Sequence, residues 1–412
     1  HGEQRSFRCE AVVKITYLLP AVGHTGGFSV LYRFMDELSR RGHDVYAVTP
    51  SMSLKWSHGD ADRIHRTAVL GSAGAKIRSR LKRAIKSIPG LHGAMRFLTR
   101  ARQPSGGGLD CYAITQGLLK HHVPADVTVA SSWATALAAY ATLDRSAVAY
   151  HMQHYEELFY ADEVHRLSAR QTYLLPLSLI ANSSWLRDQI AVRFGRSSEL
   201  VTPGIDVEVF HPKRSIKEKY AQMKPTTVAT YYSARLFKGW LDGVAAMRMV
   251  FERVEAGSIQ WVVFGDMPPS SAGVQFTSVG RLHGGALAEL YSGAHMLLMP
   301  SWYESFPLPP IEAMACGCVP VVTRWGTEDY AEDGRNSFVL HPRSPAAMAE
   351  AIVSAMRNPE RTCEMAMAGV DTSLHHSWSL ATNNLERFLS EIVKHSRVPK
   401  HADLADLAVG KF

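Results

Sequence analysis

Residues 300–322, Pro-Ser-Trp-Tyr-Glu-Ser-Phe-Pro-Leu-Pro-Pro-Ile-Glu-Ala-Met-Ala-Cys-Gly-Cys-Val-Pro-Val-Val, carry two glutamates eight apart, Glu304 and Glu312, on either side of a proline-rich turn. The prolines suit the first turn of a short helix, and Gly317 stops that helix before an apolar strand. At such a start the backbone N–H groups of Ser305, Phe306 and Leu308 lack helical partners. The helix dipole favours an anion there, which makes the segment a place for a diphosphate. One carboxylate in the loop and one in the helix can then take hydroxyl groups on either side of it, as a nucleotide sugar would offer.

Further candidates follow other apolar runs. Ser233-Ala-Arg-Leu-Phe-Lys-Gly-Trp240 lies between a strand pattern and a helix pattern. Arg235 supplies a planar fork of donors and Lys238 a point charge, a pair suited to diphosphate oxygens that gain charge as a glycosidic bond breaks. His151 and His154 follow the run 147–150. They can make polar contacts at a strand end, or begin a metal site that no accompanying carboxylate-plus-His set completes. Asp60-Ala-Asp62 has the form of a divalent-cation motif but follows Lys-Trp-Ser-His-Gly instead of an apolar strand, so it reads as a solvated loop. No metal site and no cofactor are expected.

The elements that must position these residues alternate. An apolar strand at 12–19 runs into Ala-Val-Gly-His-Thr-Gly-Gly, then a helix at 28–40 with Val30, Leu31, Phe34 and Leu38 on one face, then a strand at 45–49. This is the opening unit of a doubly wound parallel sheet, and Gly26 and Gly27 either let the backbone approach a ligand or form an ordinary tight turn. Strands at 125–130, 147–150 and 180 onward continue the first half. The second half repeats the alternation, with strands at 227–232, 260–265 and 296–299 and helices at 241–254, 286–292 and 344–358. A final helix is expected at 380–394, and the tail from 395 reads as untethered.

The string around Glu304 and Glu312 resembles the Glu-x7-Glu signature of the retaining GT-B glycosyltransferases of family four, also called glycosyl transferases group 1. Ser233–Trp240 is similar to the family's Gly-Arg-Leu…Lys-Gly stretch, although Lys238 follows Arg235 by three residues where five is usual. Residues 201–212, Val-Thr-Pro-Gly-Ile-Asp-Val-Glu-Val-Phe-His-Pro, resemble its interdomain segment, with Pro203 in place of the usual Asn. The resemblance implies an α/β protein of two Rossmann-like domains with an interdomain cleft. Residues 1–200 would be the acceptor-side domain with a basic insertion at 63–109, residues 201–375 the nucleotide-sugar donor domain, and 376–412 a helix that returns to the first domain, plus the tail.

The resemblance also implies roles. Glu304 contacts the donor sugar and Glu312 the ribose. Ser305, Phe306, Pro307 and Leu308, with Leu282, Gly26 and Gly27, complete the donor-binding set, while Arg235 and Lys238 stabilise the leaving diphosphate without a metal. The family places a His at the end of the strand equivalent to 147–150, near the donor sugar. His151 and His154 both fit, and Gln153 competes, because rhamnosyltransferase-like members carry Gln-Asp-Tyr-Glu there. The implied activity is transfer of a hexosyl unit, with retained configuration, to a hydroxyl of a glycan or lipid-linked acceptor, as in polysaccharide biosynthesis. The rivals are an epimerase or hydrolase on the same fold, marked by acceptor-independent release of free sugar, and a silent nucleotide-sugar-binding partner subunit.

Bulk properties narrow the class. At 412 residues with 46% hydrophobic residues, the chain can bury two cores. No apolar run reaches the length of a membrane span, and residues 1–10 are polar, so a cytoplasmic protein is expected. The five cysteines, Cys9, Cys111, Cys316, Cys318 and Cys363, are scattered and odd in number, which argues against a disulfide framework. Within the net charge of +7, residues 63–109 hold eleven Lys and Arg and no Asp or Glu. Ile77, Leu81, Ala84, Ile85 and Ile88 recur there at helical steps. This suits either an amphipathic helix on an anionic membrane, on the inner face of the plasma membrane, or a solvated insertion. Without interleaved aromatics it does not suit nucleic acid.

Overall fold

Met296–Met299 and Val319–Thr323 are buried at every position, because strands covered on both faces need no polar alternation. The structure is a computed structural model that describes residues 12–20, 26–50, 63–66, 108–269 and 273–396. Their strands form two parallel sheets. The first consists of β1 (Lys14–Leu18), β2 (Asp44–Thr49), β3 (Ile64–Arg66), β4 (Val127–Ala130), β5 (Ala147–Met152), β6 (Ser178–Ala181) and β7 (Glu199–Leu200), in the order β3-β2-β1-β4-β5-β6-β7. The second consists of β8 (Thr226–Tyr232), β9 (Ile259–Gly265), β10 (Thr277–Gly280), β11 (Met296–Met299), β12 (Val319–Thr323) and β13 (Phe338–Leu340), in the order β10-β9-β8-β11-β12-β13. Both orders reverse beside their first strand, between β1 and β4 and between β8 and β11. Ligands of such sheets bind off the carboxyl ends of the strands at that switch point.

Contacts divide the chain into a first unit, His1–Ile180 with Phe194–Ser198 and Glu386–Phe412, and a second, Ala181–Arg193 with Glu199–Leu385. Segment 181–193 precedes the sequence boundary at 200–201 yet counts with the second unit. There, the N–H of Ser184 donates to Asp329 at 3.0 Å.

In the first unit, helix Gly26–Arg40 buries Val30, Leu31, Phe34, Met35 and Leu38. Gly26 and Gly27, read from sequence as loop, are its first two residues. The last helix, Trp378–His395, contributes Glu386 to this unit. That carboxylate accepts from Arg41 at 2.7 Å and from His43 Nε2 at 2.9 Å, while His43 Nδ1 accepts the N–H of Val13 at 3.2 Å.

In the second unit the period of two along the strands sends neighbours to opposite faces. Val228 and Leu298 join the core beneath helices Trp240–Arg253 and Pro345–Arg357, with Met247 and Ile352. Ala229 and Leu297 join the other core, with Tyr291, Ile311 and Met314. Cys9, loop 21–25, Asp60-Ala-Asp62, most of the basic segment 63–109 and the tail from 397 lie outside the described residues.

Candidate active site

The second unit gathers its chemistry where β8 and β11 end. After β8 the chain makes a 3-10 turn, Leu236–Lys238, headed by Arg235. Gly239 follows at φ +67°, and a Cβ there would lie 1.9 Å from the carbonyl oxygen of Pro300. Only glycine permits that approach, which seats the β8 loop on the residue that closes β11. The N–H of Trp302 then donates to the carbonyl of Phe237 at 2.7 Å, and the rings of Phe237 and Tyr303 stack with centroids 5.0 Å apart.

Glu304 is fixed from a third side. Its N–H donates to the carbonyl of Trp325, beyond β12, at 3.0 Å. Gly326, at φ +93°, lies so close that a Cβ would stand 2.3 Å from the carbonyl oxygen of Glu304. Its carboxylate Oε1 receives Lys238 Nζ at 2.6 Å, and both side chains are largely buried. Arg235 is exposed beside them, its guanidinium 6.0 Å from the Phe237 ring.

The loop from Glu304 to the helix Leu308–Ala315 supplies donors. Its N-cap, Pro307, has no capping side chain, and prolines occupy the first turn. The N–H groups of Ser305, Phe306 and Leu308 make no hydrogen bond among the described residues. Such orphan donors suit an anion. The side chains on this loop do other work. Ser305 Oγ donates to Asn182 and lies 3.2 Å from Ser183 Oγ. Phe306 is buried against Tyr330, whose hydroxyl donates to the Pro307 carbonyl at 2.9 Å. Leu308 and Leu282 are half-buried against the same core.

Glu312 sits in the helix, half-buried, and its carboxyl has no hydrogen-bond partner among the described residues. Burial pushes its pKa up to about 8. A carboxyl held this way gains most from a ligand that brings hydroxyl donors to it.

The first unit assembles a separate group at the ends of β1 and β5. A Cβ on Gly27 would meet Gln153 Cβ at 3.5 Å, so the helix start and the residue just past β5 are neighbours. His154 is buried, its Nδ1 3.2 Å from the Tyr155 carbonyl and its ring 4.5 Å from Phe159. His151, expected beyond the strand, lies inside it. It is fully buried against Phe34, neither ring nitrogen has a hydrogen-bond partner among the described residues, and burial pushes its pKa down to about 3, so the ring is neutral. Among the described residues no group of three or more His, Cys, Asp or Glu could hold a metal, and no helix is long and apolar enough to cross a membrane. Cys316 and Cys318 are free thiols in the core.

Residues 228–358, which span β8 to the end of helix Pro345–Arg357, match the family model described as Glycosyl transferases group 1. This segment is a group 1 glycosyl transferase domain. Its Lys238–Glu304 pair and its orphan N–H groups stand on the elements that the match covers. The chain is 23% identical over 220 residues to a D-inositol 3-phosphate glycosyltransferase of Corynebacterium glutamicum, covering 48% of this chain and 53% of that one. It is 24% identical over 251 residues to D-inositol 3-phosphate glycosyltransferase 2 of Catenulispora acidiphila, covering 55% and 58%. The chain thus spans somewhat more than half the length of these curated relatives.

Among solved structures it resembles sucrose-phosphate synthase from Thermosynechococcus elongatus, with TM-score 0.69 and 14% identity over 93% of this chain and 100% of that one. It also resembles HepE of Anabaena in complex with UDP, with TM-score 0.65 and 15% identity over 92% and 100%. These likenesses establish the fold: two Rossmann-like units of the GT-B class.

Sequence reasoning missed Asn182, Ser183 and Gly326. Ser183 stands before the helix Ser184–Phe194, its Oγ accepting the Leu186 N–H at 3.1 Å. Its second partner, Ser305, is remote in sequence and gives no local signal. Gly326 carries a readable hint, a glycine just past a buried strand.

Proposed function

We propose that the chain is a glycosyltransferase that moves a hexosyl unit from a nucleoside diphosphate sugar to a hydroxyl of a glycan or lipid-linked acceptor, with retained configuration and without a metal. The observation that carries this reading is the set of orphan N–H groups of Ser305, Phe306 and Leu308 beside Lys238 and Glu304. A diphosphate supplies the oxygens that these donors lack. Arg235 and Lys238 would oppose the charge that grows on those oxygens as the glycosidic bond breaks, when such groups matter most. Glu304, released from Lys238 as the diphosphate claims the ammonium, would accept hydrogen bonds from hydroxyls of the sugar, and Glu312 from those of the ribose. The acceptor oxygen would enter on the side that the diphosphate leaves, and its proton would pass to a departing diphosphate oxygen. Configuration is then kept without a protein nucleophile.

The basic segment 63–109 fits an anionic membrane surface, which would make the protein peripheral on the inner face of a plasma membrane and suit a lipid-linked acceptor. Sedimentation with anionic vesicles tests that part alone, and equal pelleting with neutral vesicles would remove it. For the activity, calorimetric titration with UDP, GDP, ADP and TDP should give saturable binding of at least one. Addition of the matching nucleotide sugar and a glycan acceptor should then release nucleoside diphosphate only when acceptor is present. Release of free sugar without acceptor would overturn the transferase reading.

A further inference from the structure

Beyond Glu304, away from β8, the carboxyl ends of β11, β12 and β13 carry aromatic and cationic side chains that the reaction described above does not use. β11 pairs with β12 and β12 with β13, all parallel, so the residues that follow them share one edge of the sheet. After β11 comes Trp302, after β12 come Arg324 and Trp325, and after β13 come His341 and Arg343. They are linked in space. The Arg343 guanidinium lies 3.9 Å from the centre of the Trp302 ring, Arg324 Nη2 lies 3.0 Å from His341 Nε2, and Trp325 accepts the N–H of Glu304.

Three features mark this rim as a binding surface. First, neither Arg324 nor Arg343 has an acidic partner among the described residues, although both are exposed. Second, Trp325 leaves 43% of its surface open one residue from Gly326, the glycine that clamps Glu304. Third, Arg343 has φ +57°, the one positive value at a non-glycine position among the described residues. A left-handed arginine is a local strain of the kind found at ligand contacts, and here its guanidinium lies over an indole.

We propose that this rim binds an anionic saccharide residue, a uronic acid or a phosphorylated sugar, next to the sugar held at Glu304. The guanidinium forks, which have no acidic partner among the described residues, take the carboxylate or phosphate, as planar donor pairs do, and the open indole of Trp325 covers an apolar face of the ring. We assign the anion to the acceptor. The inference rests on the donor site proposed above, and the shared chemistry admits a second source, an acidic donor sugar.

The test uses the full chain and two variants, Arg343→Gly, which suits the left-handed backbone and removes only the side chain, and Arg324→Ala. UDP affinity is measured first, beside GDP, ADP and TDP, since wild type that bound none of them would strike the donor site and not the rim. With UDP bound, a hyaluronan tetrasaccharide should bind wild type at least tenfold tighter than cellotetraose, and each variant should erase most of that preference at unchanged UDP affinity. If the variants instead erase a preference for UDP-glucuronate over UDP-glucose, the rim binds an anionic sugar of the donor. Equal affinity of wild type for charged and neutral members of both pairs, or a preference that survives both substitutions, would overturn the proposal.

Discussion

Lys238 Nζ stands 2.6 Å from Glu304 Oε1, joining the loop after β8 to the loop after β11 across the point where the strand order reverses. Both charges are mostly out of water, and each compensates the other. Removing one partner of such a pair leaves an uncompensated buried charge. Lys238→Ala should therefore lower unfolding free energy by about 3 kcal/mol, and the double variant Lys238→Ala with Glu304→Gln should recover part of it. Denaturant unfolding of the three proteins checks this; additive losses in the double variant would mean that the pair is not coupled.

Glu312 makes stability depend on pH in the direction opposite to a paired carboxylate. Its folded pKa of about 8 lies above the ordinary value of 4.5, so the folded protein binds more protons than the unfolded chain between those values. Wild type should lose stability against Glu312→Gln as pH rises from about 4.5 toward 8, and the difference should level off above that. Melting profiles of the two proteins from pH 5 to 9 read this directly. Parallel profiles would place the carboxyl in water.

Arg235 is exposed and heads the 3-10 turn, so its loss should leave the fold alone. Arg235→Ala should lower kcat roughly a hundredfold with a smaller change in KM, because in the proposed reaction the charge it would oppose appears as the bond breaks. Steady-state kinetics with the donor identified by titration decide it. A near wild-type kcat would take Arg235 out of the reaction.

Activity should survive excess EDTA, because in the proposed reaction Arg235, Lys238 and three backbone donors would hold the oxygens of the leaving group. A loss that added magnesium or manganese restores would show that the enzyme needs a cation.

The fold was legible because its strands are either apolar throughout, as in β11 and β12, or lead into glycine and proline punctuation that is hard to read another way. The loop and helix that carry Glu304 and Glu312 were legible for the same reason, since Glu304, the Pro-Pro helix start and Glu312 lie in one short stretch. What the sequence hid is whatever depends on remote pairing. The 2.6 Å contact of Lys238 with Glu304 spans 66 residues, and the hold of Asn182 on Ser305 spans 123. His151 shows a different limit. Sequence ends the β5 strand pattern at Tyr150, but the strand runs through Met152, so His151 lies within it and is fully buried.

As proposed, Glu312 receives the ribose of a nucleoside diphosphate whose oxygens lie on the N–H groups of Ser305, Phe306 and Leu308. Calorimetric titration of wild type and Glu312→Ala with UDP and with its 2′,3′-dideoxy analogue tests it most directly. Wild type should bind UDP about fivefold or more tighter than the analogue, the two ribose hydroxyls on a neutral carboxyl being worth about 1–3 kcal/mol together, and Glu312→Ala should bind both with the weaker affinity. A variant that still prefers UDP by the wild-type ratio would contradict it.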